Sequence, residues 1–241
     1  MTGNPLQTWR RVAAACASLV ACALLWLPAQ SLAQPIPGYP EHITGFDPRE
    51  VAMLPPYCIY TIVFRDNVPG GNNPEGIRKW NDVLGETFRH SHHYCFGLMY
   101  TNRATLLPVQ DPTARRFYLN NSILEFDYVL DRATPDYILL PEVLTKKGEN
   151  LIRLGKGPMG IENLERAAQI KPDYWAPYAY LSDYYKEAGD FTKARQELEK
   201  GLSFAPDAKG LQRRLGELDA EAAKRKSSPK PAAKQQSSSS K

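Results

Sequence analysis

Between residues 148 and 206 one pattern of small and apolar side chains is laid down twice, 34 residues apart. Gly148, Leu151, Gly155, Gly160, Leu164, Ala167 and Pro172 are answered by Ser182, Tyr185, Gly189, Ala194, Leu198, Gly201 and Pro206. A period of this length holds two helices and a turn, and little else. Tyr178, Leu181 and Tyr185 fall at i, i+3 and i+7, which is one helical face. Ser182, Ala194 and Gly201 are small where two helices must approach closely. Gly189 can take positive φ at a helix end, and Asp190 is placed to cap the helix that follows. Asp173 stands in the same relation to the first helix, Pro158 suits a first turn, and Pro206 stops the last helix. A unit of this size cannot bury its apolar face alone, so such units stack on one another.

The pattern resembles the tetratricopeptide repeat family. With Trp175 as position 1, Tyr178, Leu181, Ser182 and Tyr185 occupy positions 4, 7, 8 and 11. Gly189, Phe191, Ala194, Leu198, Gly201 and Pro206 then fall on the turn and second-helix positions of the motif. The unit before it begins at Pro141 and departs at position 7, where Lys147 stands. A degenerate third copy places His93, Phe96, Gly97 and Tyr100 at positions 4, 7, 8 and 11. Its turn expands over Leu106 to Asp111, and its second helix is expected over Pro112 to Ala133, with Leu119, Ile123, Phe126 and Leu130 on one face. Leu211, Leu215 and Leu218 mark a capping helix. The resemblance implies an all-α, tetratricopeptide-like helical repeat solenoid that binds a protein or peptide and catalyses nothing.

It also implies where binding would occur. Groove positions hold Ala176, Ala179, Asp183, Lys186 and Glu187 in the last unit, and Glu142, Thr145, Glu149, Ile152 and Arg153 in the one before. This is not the basic, asparagine-rich set that some members use to clamp a C-terminal carboxylate. Tyr180 and Tyr184 lie off the face of Tyr178 and Tyr185, and either pack on the previous repeat or line the groove. The candidate binding set is Glu149, Arg153, Tyr180, Asp183, Tyr184 and Lys186.

The remainder of the chain organises around this core. Residues 1–33 read as a signal peptide: Arg10 and Arg11, an apolar run from Val12 to Leu27, and small residues at Ser31 and Ala33 for a cut before Gln34. The alternatives are a lipoprotein acylated at Cys22 and an uncleaved anchor, though the run is short for a span. Each version exports the protein, with the bacterial periplasm as the expected compartment. Residues 34–90 form an N-terminal arm and helices, 91–140 the degenerate pair, 141–208 the two repeat units, 209–225 the capping helix, and 226–241 a disordered basic tail. Within 34–90 a helix is expected from near Pro56, a strand being the alternative, and a second over Glu75 to Arg89. The net charge of +4 is unevenly placed: without the two arginines of the leader and the six cations from Lys224 onward, residues 34–221 carry −4. The tail lacks large apolar residues and cannot offset its ordering entropy. It reads as a solvated spacer, with weak contact to an anionic membrane surface as the alternative, and no nucleic-acid partner is expected.

The stretch FRHSHHYCFG, from Phe88 to Gly97, gathers three of the four histidines. His90, His92 and His93 could ligate a metal, but on a helix His90 and His93 share one face while His92 and Cys95 share another. The competing reading has His93 filling a core aromatic position, with His90 and His92 exposed. Cys58 and Cys95 are the two cysteines that survive export, an even number in an oxidising space. A disulfide between them is expected, with free buried thiols or a redox role as alternatives; no Cys-x-x-Cys motif accompanies them. No nucleophile elbow, zinc-protease motif or P-loop is present, and no cofactor is implied. A metal- or redox-linked accessory protein is the second functional reading.

Overall fold

The computed structural model describes residues 46–106 and 111–227. The leader with Cys22, the arm up to Gly45, the centre of the expanded turn and the tail beyond Ser227 lie outside the described residues. Among the described residues all regular structure is helical. The N-terminal part comprises α1 (Pro48–Ala52), a 3-10 turn (Cys58–Tyr60), α2 (Ile62–Asn67), α3 (Pro74–Leu84) and a second 3-10 turn (Gly85–His90). Antiparallel pairs follow: α4 (Ser91–Leu106) with α5 (Pro112–Leu130), α6 (Leu140–Arg153) with α7 (Gly157–Ile170), and α8 (Ala176–Glu187) with α9 (Phe191–Phe204). The last helix is α10 (Lys209–Ser227). No helix among the described residues is long and apolar enough to cross a membrane.

Helix starts are written in proline and short acidic or amide side chains. Pro48, Pro74, Pro112, Pro141, Pro158 and Pro177 all sit in first turns, where a missing N–H costs nothing. Asn73 accepts from Gly76 N at 2.9 Å, Asp111 from Ala114 N at 2.9 Å and Asp190 from Lys193 N at 3.0 Å. Gly155 and Gly189 take φ of 77° and 81° at the turns inside the two repeat units.

The repeat architecture is the one its residues spell. Leu144 and Tyr178, Leu164 and Leu198, Ala167 and Gly201 are buried at equivalent places in successive units. Ala194 is fully buried against its pair. In the degenerate unit Gly97 faces Phe126 so closely that a Cβ would stand 2.3 Å from the ring. The departure at Lys147 has a local cause: its ammonium reaches Asp127 on α5. Leu211 and Leu218 of α10 close the core that Tyr178 and Leu198 begin.

A second core holds the N-terminal part to α4. Cys58 and Cys95 are joined by a disulfide, with Cα atoms 5.7 Å apart and both residues wholly buried. Phe46 and Phe64 stack at 4.4 Å, and Phe96 packs beside them. Arg103 on α4 donates to both oxygens of Glu50 on α1, at 2.6 and 2.7 Å, in a buried pair.

Four local expectations are corrected. The segment 49–65 is not one helix from Pro56. Pro55-Pro56 breaks it, and Thr61 lies extended with its hydroxyl donating to Cys58 O at 2.7 Å. The helix over 74–84 stops before Arg89 because Gly85 takes φ of 65°, and the chain continues as 3-10. The helix from Pro112 ends at Leu130, short of Ala133. Asp173 does not cap α8, whose cap residue is Trp175; its carboxylate is drawn to Lys171 Nζ at 2.9 Å.

Two stability outcomes follow from this packing. Ala194→Leu should lower stability by roughly 1–3 kcal/mol through overpacking, seen as a lower urea midpoint. Reducing the disulfide reopens the loop from Cys58 to Cys95, and should cost on the order of 3–4 kcal/mol in the chain-entropy account, seen as a lower Tm with reductant.

Candidate functional site

The first helices of the three pairs, α4, α6 and α8, present one continuous face, and its polar side chains interlock. At its base Asn150 on α6 donates to Thr101 on α4 and to Ser122 on α5, each at 2.7 Å. Thr101 and Ser122 bond each other at 2.9 Å, and all three residues are buried. Arg153 reaches Asn150 Oδ1 at 3.3 Å and Glu149 at 3.9 Å. Glu149 also accepts from Lys146 at 3.1 Å, and Lys146 meets the Tyr180 hydroxyl on α8 at 3.4 Å. Closer to the N-terminal part, the Tyr94 hydroxyl donates to Glu142 at 2.7 Å.

Half-burial shapes the charges here. Burial disfavours the Lys146 ammonium, but Glu149 and Tyr180 outweigh it, and its pKa ends above the ordinary value. Burial lowers Arg153 and raises the Tyr180 phenol. The face therefore gathers two cationic side chains, Lys146 and Arg153, around the Glu149 carboxylate.

Of the six sequence-derived binding residues, the structure brings Glu149, Arg153 and Tyr180 into this one cluster. The other three go elsewhere. Asp183 accepts from Arg214 of α10 at 2.9 and 3.1 Å, and Lys186 pairs with Glu221 of α10 at 3.3 Å. Tyr184 lies against the start of α7, its hydroxyl 2.6 Å from where a Cβ on Gly157 would stand. Tyr184 thus packs on the preceding unit, while Tyr180 touches that unit through Lys146 and stays partly exposed on the face. Lys146, Asn150, Thr101 and Ser122 were absent from the sequence reading. The available signal was Asn150, a polar side chain inside an amphipathic helix; nothing local points from it to Thr101 or Ser122 on other helices.

The histidine stretch resolves differently. His93 does fill an aromatic position, stacked on Tyr128 with ring centres 3.6 Å apart, and its Nδ1 lies 2.6 Å from Glu125. His92 is half-buried rather than exposed, and its ring lies 4.2 Å from that of His93. Its Nδ1 is buried without a hydrogen-bond partner. Burial, then the His93 neighbour, lower its pKa to about 4. His90 belongs to the 3-10 turn before α4, half-buried, and burial lowers its pKa too. Among the described residues no three metal-ligating side chains converge.

No protein-family model matches this chain, and no curated protein does. Among solved structures it matches the first tetratricopeptide repeat domain of Spaghetti (RPAP3), solved bound to the HSP90 peptide SRMEEVD. The identity is 15% and the TM-score 0.38, over 54% of this chain and 95% of that one.

The His92 environment yields a pH outcome. The unfolded chain takes up the imidazole proton near pH 6.5 and the folded chain only near 4, so this residue's contribution to stability is lost as pH falls across that window. His92→Gln should flatten the decline in Tm between those values, relative to the unaltered protein.

Proposed function

We propose that this protein is an exported, non-catalytic scaffold that binds a protein partner in a bacterial cell envelope. The observation that carries the reading is the face of α4, α6 and α8. There, half-buried charges and an aromatic, Lys146, Glu149, Arg153 and Tyr180, are held in place by one another and by a buried polar base. Prearranged arginine and tyrosine side chains on a rigid helical face are what interfaces concentrate their energy in. The wholly buried Cys58–Cys95 bond and the leader-like N-terminus together favour an oxidising compartment. The basic tail adds at most weak, salt-screened attraction to an anionic membrane.

The test is a photo-crosslinking residue placed at Arg153, with Arg166 on the outward side of α7 as the control position. In envelopes containing the native partner, position 153 should give one discrete crosslinked product and position 166 none. Removing Ser227–Lys241 should leave that product in place. Equal labelling at both positions, or loss of the product on tail removal alone, would overturn the groove as the binding face.

A further inference from the structure

Away from the repeat face, α2, α3 and the second 3-10 turn enclose an open cleft of about 490 Å³. Its lining is largely apolar, chiefly Ile62, Ile77 and Phe88. Arg65, Arg78 and Arg89 also line it, and no acidic residue does. Arg65 is partly compensated by Asp66, outside the cleft, at 3.6 Å. Arg78 and Arg89 are exposed and make no ion pair among the described residues. Ile62 stays 42% exposed in the same cleft, so apolar surface and uncompensated positive charge lie open side by side.

The walls are built to hold this shape. The disulfide anchors the turn that leads into α2, and Gly85 ends α3 so that Phe88 turns inward, buried, beneath Arg89. Thr87, next to Phe88, is bonded to Thr134 across the fold. The volume suits a small molecule, for which sites of roughly 300–1,000 Å³ with apolar walls and a few polar groups are usual. Two unpaired guanidinium forks provide parallel N–H donors of the kind a single carboxylate accepts.

We propose that this cleft binds a small organic monocarboxylate with an apolar body of medium length. The carboxylate lies at Arg78 and Arg89, and the body covers Ile62, Ile77 and Phe88. The site is independent of the scaffold face and stands or falls without it.

The experiment titrates the oxidised full chain with octanoate, octan-1-ol, acetate and octyl phosphate, following the arginine Nε–H and isoleucine methyl resonances by NMR. Octanoate should saturate one site and shift both Arg78 and Arg89 together with Ile62 and Ile77. Its affinity should fall with added salt, and the double variant R78Q/R89Q should weaken it roughly tenfold or more. Both side chains are exposed, so the variant should keep the helical circular dichroism of the parent; R78K/R89K, which keeps charge without the fork, should fall between the two. Octan-1-ol binding as tightly as octanoate would reduce the cleft to an apolar crevice, and acetate doing so would reduce it to surface charge. Octyl phosphate binding more tightly would assign it to phosphate. Any of these, a smaller effect of R78Q/R89Q, or no saturable octanoate binding overturns the proposal.

Discussion

Paired helices in this protein meet at small residues, and these contacts tolerate almost nothing larger. A Cβ on Gly148 would stand 2.8 Å from the Leu164 side chain and 2.9 Å from the Gly160 carbonyl. Backbones brought this close leave each pair with a single workable register, because interiors pack like solids and voids or clashes are felt at once. That register in turn sets which side chains of α4, α6 and α8 share a face. Asn150 can reach Thr101 and Ser122 only because Gly97 lets α4 settle against Phe126 on α5.

The buried polar base has a role that apolar packing could not fill. Three hydrogen-bonding side chains from three helices satisfy one another, so a slip of any helix would strand a donor or acceptor away from water. The charged cluster above inherits this precision. Arg153 is steadied by Asn150, Glu149 by Lys146, and Lys146 by the next unit through Tyr180. A partner meeting this face would find side chains already ordered, which lowers the entropy lost on binding.

How far the sequence could be read depended on how far apart the interacting residues lie in the chain. The repeat was legible because its signals are local. Asp190 caps α9 from three residues away, Gly189 turns the chain where it stands, and the Tyr178 and Leu198 faces follow helical spacing. The apolar run 49–65 misled because proline breaks and the cross-link, not periodicity, decide its shape. Asp173 misled because a nearby ammonium competes for its carboxylate. Of the candidate groove residues on α6 and α8, Asp183 and Lys186 are claimed by α10, and no local pattern announces a pairing with Arg214 or Glu221. The arginine cleft escaped for the same reason: Arg65, Arg78 and Arg89 come from three separate elements.

The fastening of the last helix differs in kind from that of the first part. The N-terminal elements are tied to α4 by a covalent bond and a buried, doubly bonded ion pair. By contrast α10 rests on Leu211 and Leu218 and on partly exposed charge pairs: Arg214 with Asp183, Lys186 with Glu221, and Arg195 with Asp219. Charge pairs in contact with water are weak and are screened by salt, whereas a cross-link is not. Cohesion therefore grades along the array from a riveted beginning to a clasped end. In a stack where each unit leans only on its neighbours, such a gradient gives opening a direction. The asymmetry therefore favours opening from α10 inward.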